Sequence, residues 1–309
     1  MNEAAEKRTG LGLGFGAYGL WGLFPLFFPL LEPAGWLEIL AQRMIWSLVA
    51  VVALLAVTTG FRGARATLRD FRRGGRLMIA GVLITVNWGV YIWGVNAGHV
   101  VECSLGYFIN PIFTILLGVL VLHERLRPAQ WAAVGIGAIA VIVIAVDVGH
   151  PPWIALVLAA SFGLYGFLKK QAGVGAADSL LIETTTIFIP AAVVLSVIAA
   201  RGDLVFGHDS VGNSLLITSS GVVTVIPLLM FAGATRRLPL TVMGLLQFLT
   251  PVLQFMVGVG IRHESVPLAE YIGFCLVWLA LIVLSVDSVR NQRRTAREER
   301  AARLESVPA

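Results

Sequence analysis

Long apolar runs, broken by short polar and charged clusters, decide what this chain can become. The runs last about 17 to 25 residues, and at about 1.5 Å rise per residue a helix of that length crosses a hydrocarbon core about 30 Å thick. No water reaches such a core, so each segment must satisfy its own backbone N–H and C=O groups, which leaves helices or a closed barrel. Barrel strands alternate apolar and polar residues over short stretches, and no such alternation occurs here. Composition agrees: 57% of the 309 residues are hydrophobic and 13% are charged, against about 25% charged in an ordinary soluble domain. The expected fold class is an all-α polytopic membrane protein.

A pass for hydropathy predicts ten transmembrane helices, near residues 11–31, 38–59, 77–98, 104–122, 129–147, 153–170, 179–199, 214–234, 240–260 and 268–287. With the N-terminus in the cytoplasm, every Lys and Arg except Arg43, Arg201 and Arg262 falls on the cytoplasmic side. That bias is the positive-inside signature and places both termini in the cytoplasm. The net charge of +5 is therefore read as an orientation signal and not as a nucleic-acid footprint. Between the second and third spans, "FRGARATLRDFRRGGR" sets Phe61, Ala64, Leu68 and Phe71 at helical spacing with arginines around them. It reads as a short helix lying among anionic lipid head groups.

The chain repeats itself. "NPIFTILLGVLVLHERL" (110–126) returns 140 residues on as "TPVLQFMVGVGIRHESV", matching Pro111, Gly118, His123 and Glu124 with Pro251, Gly258, His263 and Glu264. The same offset pairs Arg43 with Glu183 and Gly81 with Gly221, and "GLWG" (19–22) meets "GLYG" (163–166) at offset 144. Each half then holds five helices, and because five is odd the second half enters the membrane inverted relative to the first, the arrangement of secondary transporters. The expected organisation is a cytoplasmic tail (1–10), a first repeat (11–147), a second repeat (153–287) and a basic cytoplasmic tail (288–309). Glu124, just ahead of Pro128, is expected to cap the helix that follows it, and Glu264 likewise ahead of Pro267. Glu38 is read the same way, as dipole complementation at a helix end. A metal reading of His-Glu fails because position 127 is Arg and position 267 is Pro, so no second imidazole arrives one turn later.

Together "LWGLFPLFF", "LEILAQRMIWSL", "YIWGVNAGHVVECSLGYFINPI", "YGFLKK", "LLIET" and "GLLQFLTP" resemble the RarD-type permeases of the drug/metabolite transporter superfamily, whose ten-helix members carry two EamA repeats. The resemblance covers nearly the whole chain. It implies an inner-membrane permease that moves a small organic solute by alternating access, and it carries the family label of chloramphenicol resistance. Export is the expected direction, with an amino-acid or other metabolite exchanger or importer as the alternative.

Transporter sites lie near the midplane between repeats. Counting to the middle of each span gives Trp21, Asn87, Trp88, Tyr91, Asn110, Tyr165, Gln247 and Thr250, rings and amides without a charge. Such a lining suits a neutral or zwitterionic solute, although amides also serve as glue between helices. Arg43 and Glu183 are the ionisable residues inside spans and are gating or coupling candidates, with a proton or counter-solute as coupling partner. Snorkelling of Arg43 to the head groups is the competing account. Pro111 and Pro251, being paired, are the hinge candidates.

Other classes fit less well. None of the three lysines follows a glycine, so the chain holds no phosphate-cradling Gly-x-x-x-x-Gly-Lys motif for ATP. A membrane enzyme would need paired carboxylates or a histidine cluster. Adjacent acids occur only at Glu298–Glu299 and the five histidines are scattered, so no catalytic residue, cofactor or metal is expected. A non-transporting scaffold gives no reason for an inverted repeat.

Overall fold

The computed structural model describes residues 3–97, 99–148, 153–261, 268–269, 271–276, 278–280, 282–283, 286–287 and 290. His263, Glu264, Pro267 and the tail from 291 onward lie outside them. All regular structure among the described residues is helical: α1 (Glu3–Gly22), α2 (Phe24–Phe27) with a 3-10 turn (Phe28–Leu31), α3 (Trp36–Val57), α4 (Arg62–Arg69), α5 (Phe71–Asn96), α6 (Val100–Leu120), α7 (Pro128–Val148), α8 (Trp153–Ala172), α9 (Ala176–Ala200), α10 (Val211–Arg237), α11 (Leu240–Gln247) and α12 (Leu249–Gly260). Six helices are long and apolar enough to cross a membrane, and a seventh span arises if α1 and the bent segment after it count as one. Shorter apolar helices occupy Leu105–Leu120, Pro128–Val143 and Tyr271–Ala280.

Proline explains where spans break. Pro25 has no N–H to give the carbonyl of Trp21, one helical turn earlier; α1 ends at Gly22 and the next segment departs at 40°. The orphaned Trp21 carbonyl instead accepts from Gln254 Nε2 at 3.3 Å. Pro251 deprives Gln247 in the same way, and α11 gives way to α12 around Phe248. Pro111, Pro190 and Pro227 leave their helices continuous. Of the paired hinge candidates, only Pro251 coincides with a break.

Each half of the chain packs largely against the other. The main seams are α1 on α10, α8 on α5 and α6, α3 on α9 and α10, and α6 on α11. Two glycines paired by the repeat sit at close approaches in these seams. A Cβ on Gly81 would meet the backbone of Glu183 at 2.9 Å, and one on Gly221 would collide with the backbone of Trp46. Without side chains there, α5 closes on α9 and α10 on α3, the small-residue packing typical of membrane bundles.

The His-Glu signature resolves at the end of α6. His123 takes the left-handed conformation (φ 54°) and stops the helix, much as a C′ glycine or asparagine would. Glu124 is thereby aimed not at α7, as its position ahead of Pro128 suggested, but across the bundle at α11. Its carboxylate accepts from the N–H of Leu240 and of Thr241, both at 2.8 Å. The start of α7 is capped by its own Gln130, whose Oε1 accepts from Arg127 N at 2.9 Å. Gly118 belongs to the same device, because a Cβ there would lie 2.8 Å from Glu124 Oε2 and 3.1 Å from Thr241 N. Glu38 likewise serves a distant segment: it is buried and accepts from Val205 N (3.1 Å) and Phe206 N (2.8 Å). It lies in the first turn of α3, as its place in the sequence suggested, and from there also holds the loop between α9 and α10.

The basic segment after α3 forms α4 as anticipated, but Ala64 and Thr67 are buried against protein while Leu68 and Phe71 are exposed. Asp70 separates α4 from α5 and caps the latter, accepting from Arg72 N and Arg73 N at 3.1 and 3.2 Å.

Candidate functional site

A cavity of about 400 Å³ lies among α1, α3, α5, α6, α8, α11 and α12, a size suited to a small organic solute. It reaches the surface beside exposed Glu32 and half-buried Trp36, at the start of α3. The other end is closed. There Tyr18, Trp21, Phe162 and Phe231 meet edge-on or tilted at centroid distances of 5.6–6.1 Å, forming a floor of rings. Tyr165 stacks flat on Phe231 at 5.6 Å.

Beneath that floor sits a buried polar cluster. Glu183 receives Lys169 Nζ at 2.6 Å, Tyr165 OH at 3.1 Å and Ser179 Oγ at 3.1 Å. Lys169 and Glu183 expose 2% and 3% of their side chains, so neither charge could persist there without the other. Toward the same end of the bundle, Lys170 Nζ donates to Leu238 O at 2.7 Å and lies 3.9 Å from Glu124, Arg237 pairs with Glu6 at 2.8 Å, and Arg76 reaches Gln171 O at 3.3 Å.

Of the residues proposed from sequence, Trp21, Asn87, Trp88, Tyr91, Asn110, Gln247 and Thr250 line this one cavity. Tyr165 does not: it is fully buried below the floor, committed to Glu183. Asn87 touches the cavity, but its amide nitrogen is spent on α8, donating to Leu158 O at 2.8 Å and Ser161 Oγ at 3.0 Å. Thr250 Oγ1 donates to Tyr18 O at 3.0 Å, and Gln247 Oε1 accepts from Thr114 Oγ1 at 3.4 Å. Asn110 differs, since its Oδ1 is buried without a partner.

The structure places both charged candidates. Arg43 does not snorkel: it is 3% exposed, about 10 Å into α3 by helical rise, and turned into the cavity. The lining is therefore not uncharged. Its Nε donates to Thr224 Oγ1 at 3.0 Å, and its guanidinium lies 4.5 Å from the Trp88 ring centroid and 4.9 Å from that of Phe28. Glu183, in turn, is not part of the cavity lining, and Lys169, counted with the cytoplasmic charges, is its buried partner. Cation–π contacts contribute about 0.5–2 kcal/mol each, while desolvating a cation costs several kcal/mol; the rings alone do not settle Arg43 in place.

Other cavity residues went unmarked in the sequence although helical spacing could have found them. Gln254 follows Gln247 and Thr250 on one face at steps of three and four, Tyr107 precedes Asn110 by three, and Tyr18 precedes Trp21 by three. Among the described residues no cluster of three or more His, Cys, Asp or Glu could hold a metal ion.

An all-helical membrane bundle built around a solute-sized cavity defines a polytopic membrane transporter. Residues 8–146 match the EamA-like transporter family. The chain is 50% identical over 303 residues to Protein RarD of Streptomyces exfoliatus, covering 98% of this chain and 96% of that one. It is 36% identical over 295 residues to Protein RarD of Escherichia coli K12, covering 96% and 100%. Against the Chloramphenicol-sensitive protein RarD of Pseudomonas aeruginosa identity is 29% over 300 residues, covering 93% and 97%. A protein of known crystal structure shares the fold at TM-score 0.67 and 18% identity, covering 90% of this chain and 98% of that one. The chain belongs to the RarD-type permeases of the drug/metabolite transporter superfamily.

Proposed function

We propose that this permease is an inner-membrane secondary transporter that carries a small organic solute outward by alternating access of two inverted five-helix repeats. The observation that carries this reading is the cavity itself: it is reachable from one end of the bundle and sealed at the other by rings and ion pairs. On this reading the shorter apolar helices, added to the six or seven long spans, make up a count of ten. The matched glycine seams, Gly81 on α9 and Gly221 on α3, support the repeat, since the two glycines are 140 residues apart. With the N-terminus in the cytoplasm, the cavity faces outward. Glu183 is the coupling group, and protonation would release it from Lys169 and loosen the floor.

Flux measured in sealed proteoliposomes, with and without a proton gradient, tests the reading. Chloramphenicol belongs in the solute panel because of the name borne by the Pseudomonas relative. Gradient-dependent uptake of a panel member is expected; absence of flux for all solutes, in vesicles shown to hold folded protein, would refute it.

A further inference from the structure

Arg43 is a buried cation without an acid. Among the described residues no carboxylate lies within 4 Å of it, and its single hydrogen bond is the one from Nε to Thr224. Among the described residues Nη1 and Nη2 have no hydrogen-bond partner, and Arg43 is part of the cavity lining. Elsewhere in the bundle buried charge is compensated: Lys169 faces Glu183, and Glu38 faces two amide N–H groups. The fork of Arg43 is thus the one exposed to whatever fills the cavity, and a guanidinium fork matches a planar carboxylate in a way that a point charge does not. Trp88 and Phe28 hold the fork against their faces, which fixes its direction before any solute arrives.

We propose that the cavity takes an organic anion, a carboxylate gripped by Nη1 and Nη2 of Arg43 with its flat apolar body against Trp88, Trp21 and Phe28. Asn110 Oδ1, buried and without a partner, accepts from a hydroxyl or N–H on the same solute. Glu32, the other charged residue of the lining, stands at the exposed rim, where solvent screens it and where it disfavours a second negative charge. The favoured solute is accordingly a monoanion. This assignment rests on the transport reading for its meaning but not for its test.

The test is equilibrium dialysis of the purified full chain against three probes of one size: phenylacetate, phenylacetamide and phenethylamine. Phenylacetate should bind roughly tenfold or more tighter than the amide, and Arg43→Gln should erase that preference while leaving the amide unchanged. Arg43→Lys, which keeps the charge without the fork, should retain only part of it. If Arg43→Gln does not fold, the unmodified chain still decides: equal binding of amide and carboxylate, or no phenylacetate binding up to about 10 mM, the weak end for a fragment of that size, overturns the proposal. A clear carboxylate preference with no flux in vesicles would sink the transport reading and keep the anion site. Flux that is indifferent to solute charge would do the reverse.

Discussion

Removing the Glu124 carboxylate should tilt the bundle toward opening at its closed end. Glu124 accepts two backbone N–H groups at 2.8 Å at the start of α11. Hydrogen bonds to a charged group contribute about 1.5–3 kcal/mol each, but the side chain is 14% exposed and water would replace part of what is lost. Loss of an ordinary helix cap costs about 1 kcal/mol. Glu124→Ala should therefore weaken the closure by about 2–3 kcal/mol, a shift of roughly 30- to 150-fold in the ratio of states. The assay is maleimide labelling in a background lacking Cys103 and Cys275. Thr235→Cys, at 1% exposure on the closed side of α10, should label faster by that ratio, while Ile39→Cys, on the open side of the cavity, should label more slowly. General loosening would accelerate both sites, and that outcome, or no change at either, would refute the reasoning. Gly118→Ala crowds the same carboxylate, so its effect should add to that of Glu124→Ala by less than the sum.

Trp88→Ala should weaken solute binding by about 1 kcal/mol or more relative to Trp46→Ala, since Trp88 lines the cavity and Trp46 packs outside it near Gly221; equal affinities in two folded variants would remove Trp88 from the site. Gly221→Ala should prevent stable insertion, because its Cβ meets the α3 backbone, whereas Gly19→Ala, with open space around it, should express normally. Cysteines at Gly75 and Asp203 report orientation: an impermeant thiol reagent on intact cells should label 203 and spare 75. Gly63, though also on the basic side, is unsuitable for such a probe because its Cβ would strike Asp178.

The amount of this that the sequence revealed depends on range. Spans, the amphipathic α4 and most of the cavity ring follow from local periodicity, because a helix fixes which residues share a face over three or four positions. The partners of charged groups do not follow. Glu124 sits beside Pro128 in sequence yet serves α11, which lies 116 positions away. Arg43 has no acid one turn to either side, since positions 39, 40, 46 and 47 are Ile, Leu, Trp and Ser; that was a legible sign of an uncompensated cation, though not of which way it turns. Lys169 and Glu183 are 14 residues apart, on separate helices, and only the fold of α8 against its neighbours makes them a pair.

The contacts that close the bundle differ in kind from those that hold it together, and the difference bears on how it can move. At the seams, Gly81 and Gly221 bring backbones together with no side chain between them, and separating such surfaces loses packing that lipid and water do not restore. At the closed end the contacts are Glu124 on α11, Arg237 with Glu6 and Arg76 on a carbonyl, all of them partly exposed and replaceable by water at modest cost. Glu183 with Lys169 is the exception, since both are buried and breaking that pair alone is expensive, about 3–5 kcal/mol. On the coupling proposed above, a proton on Glu183 would remove one charge and leave Lys169 to be rehydrated as the floor parts, making the buried pair the step for a gradient to drive. Glu183→Gln alone strands a buried cation and should impair folding; Lys169→Met with Glu183→Gln leaves no charge to strand. The double variant should fold, exchange solute across vesicles and lose its response to a proton gradient, and a response equal to that of the unmodified chain would place the coupling elsewhere.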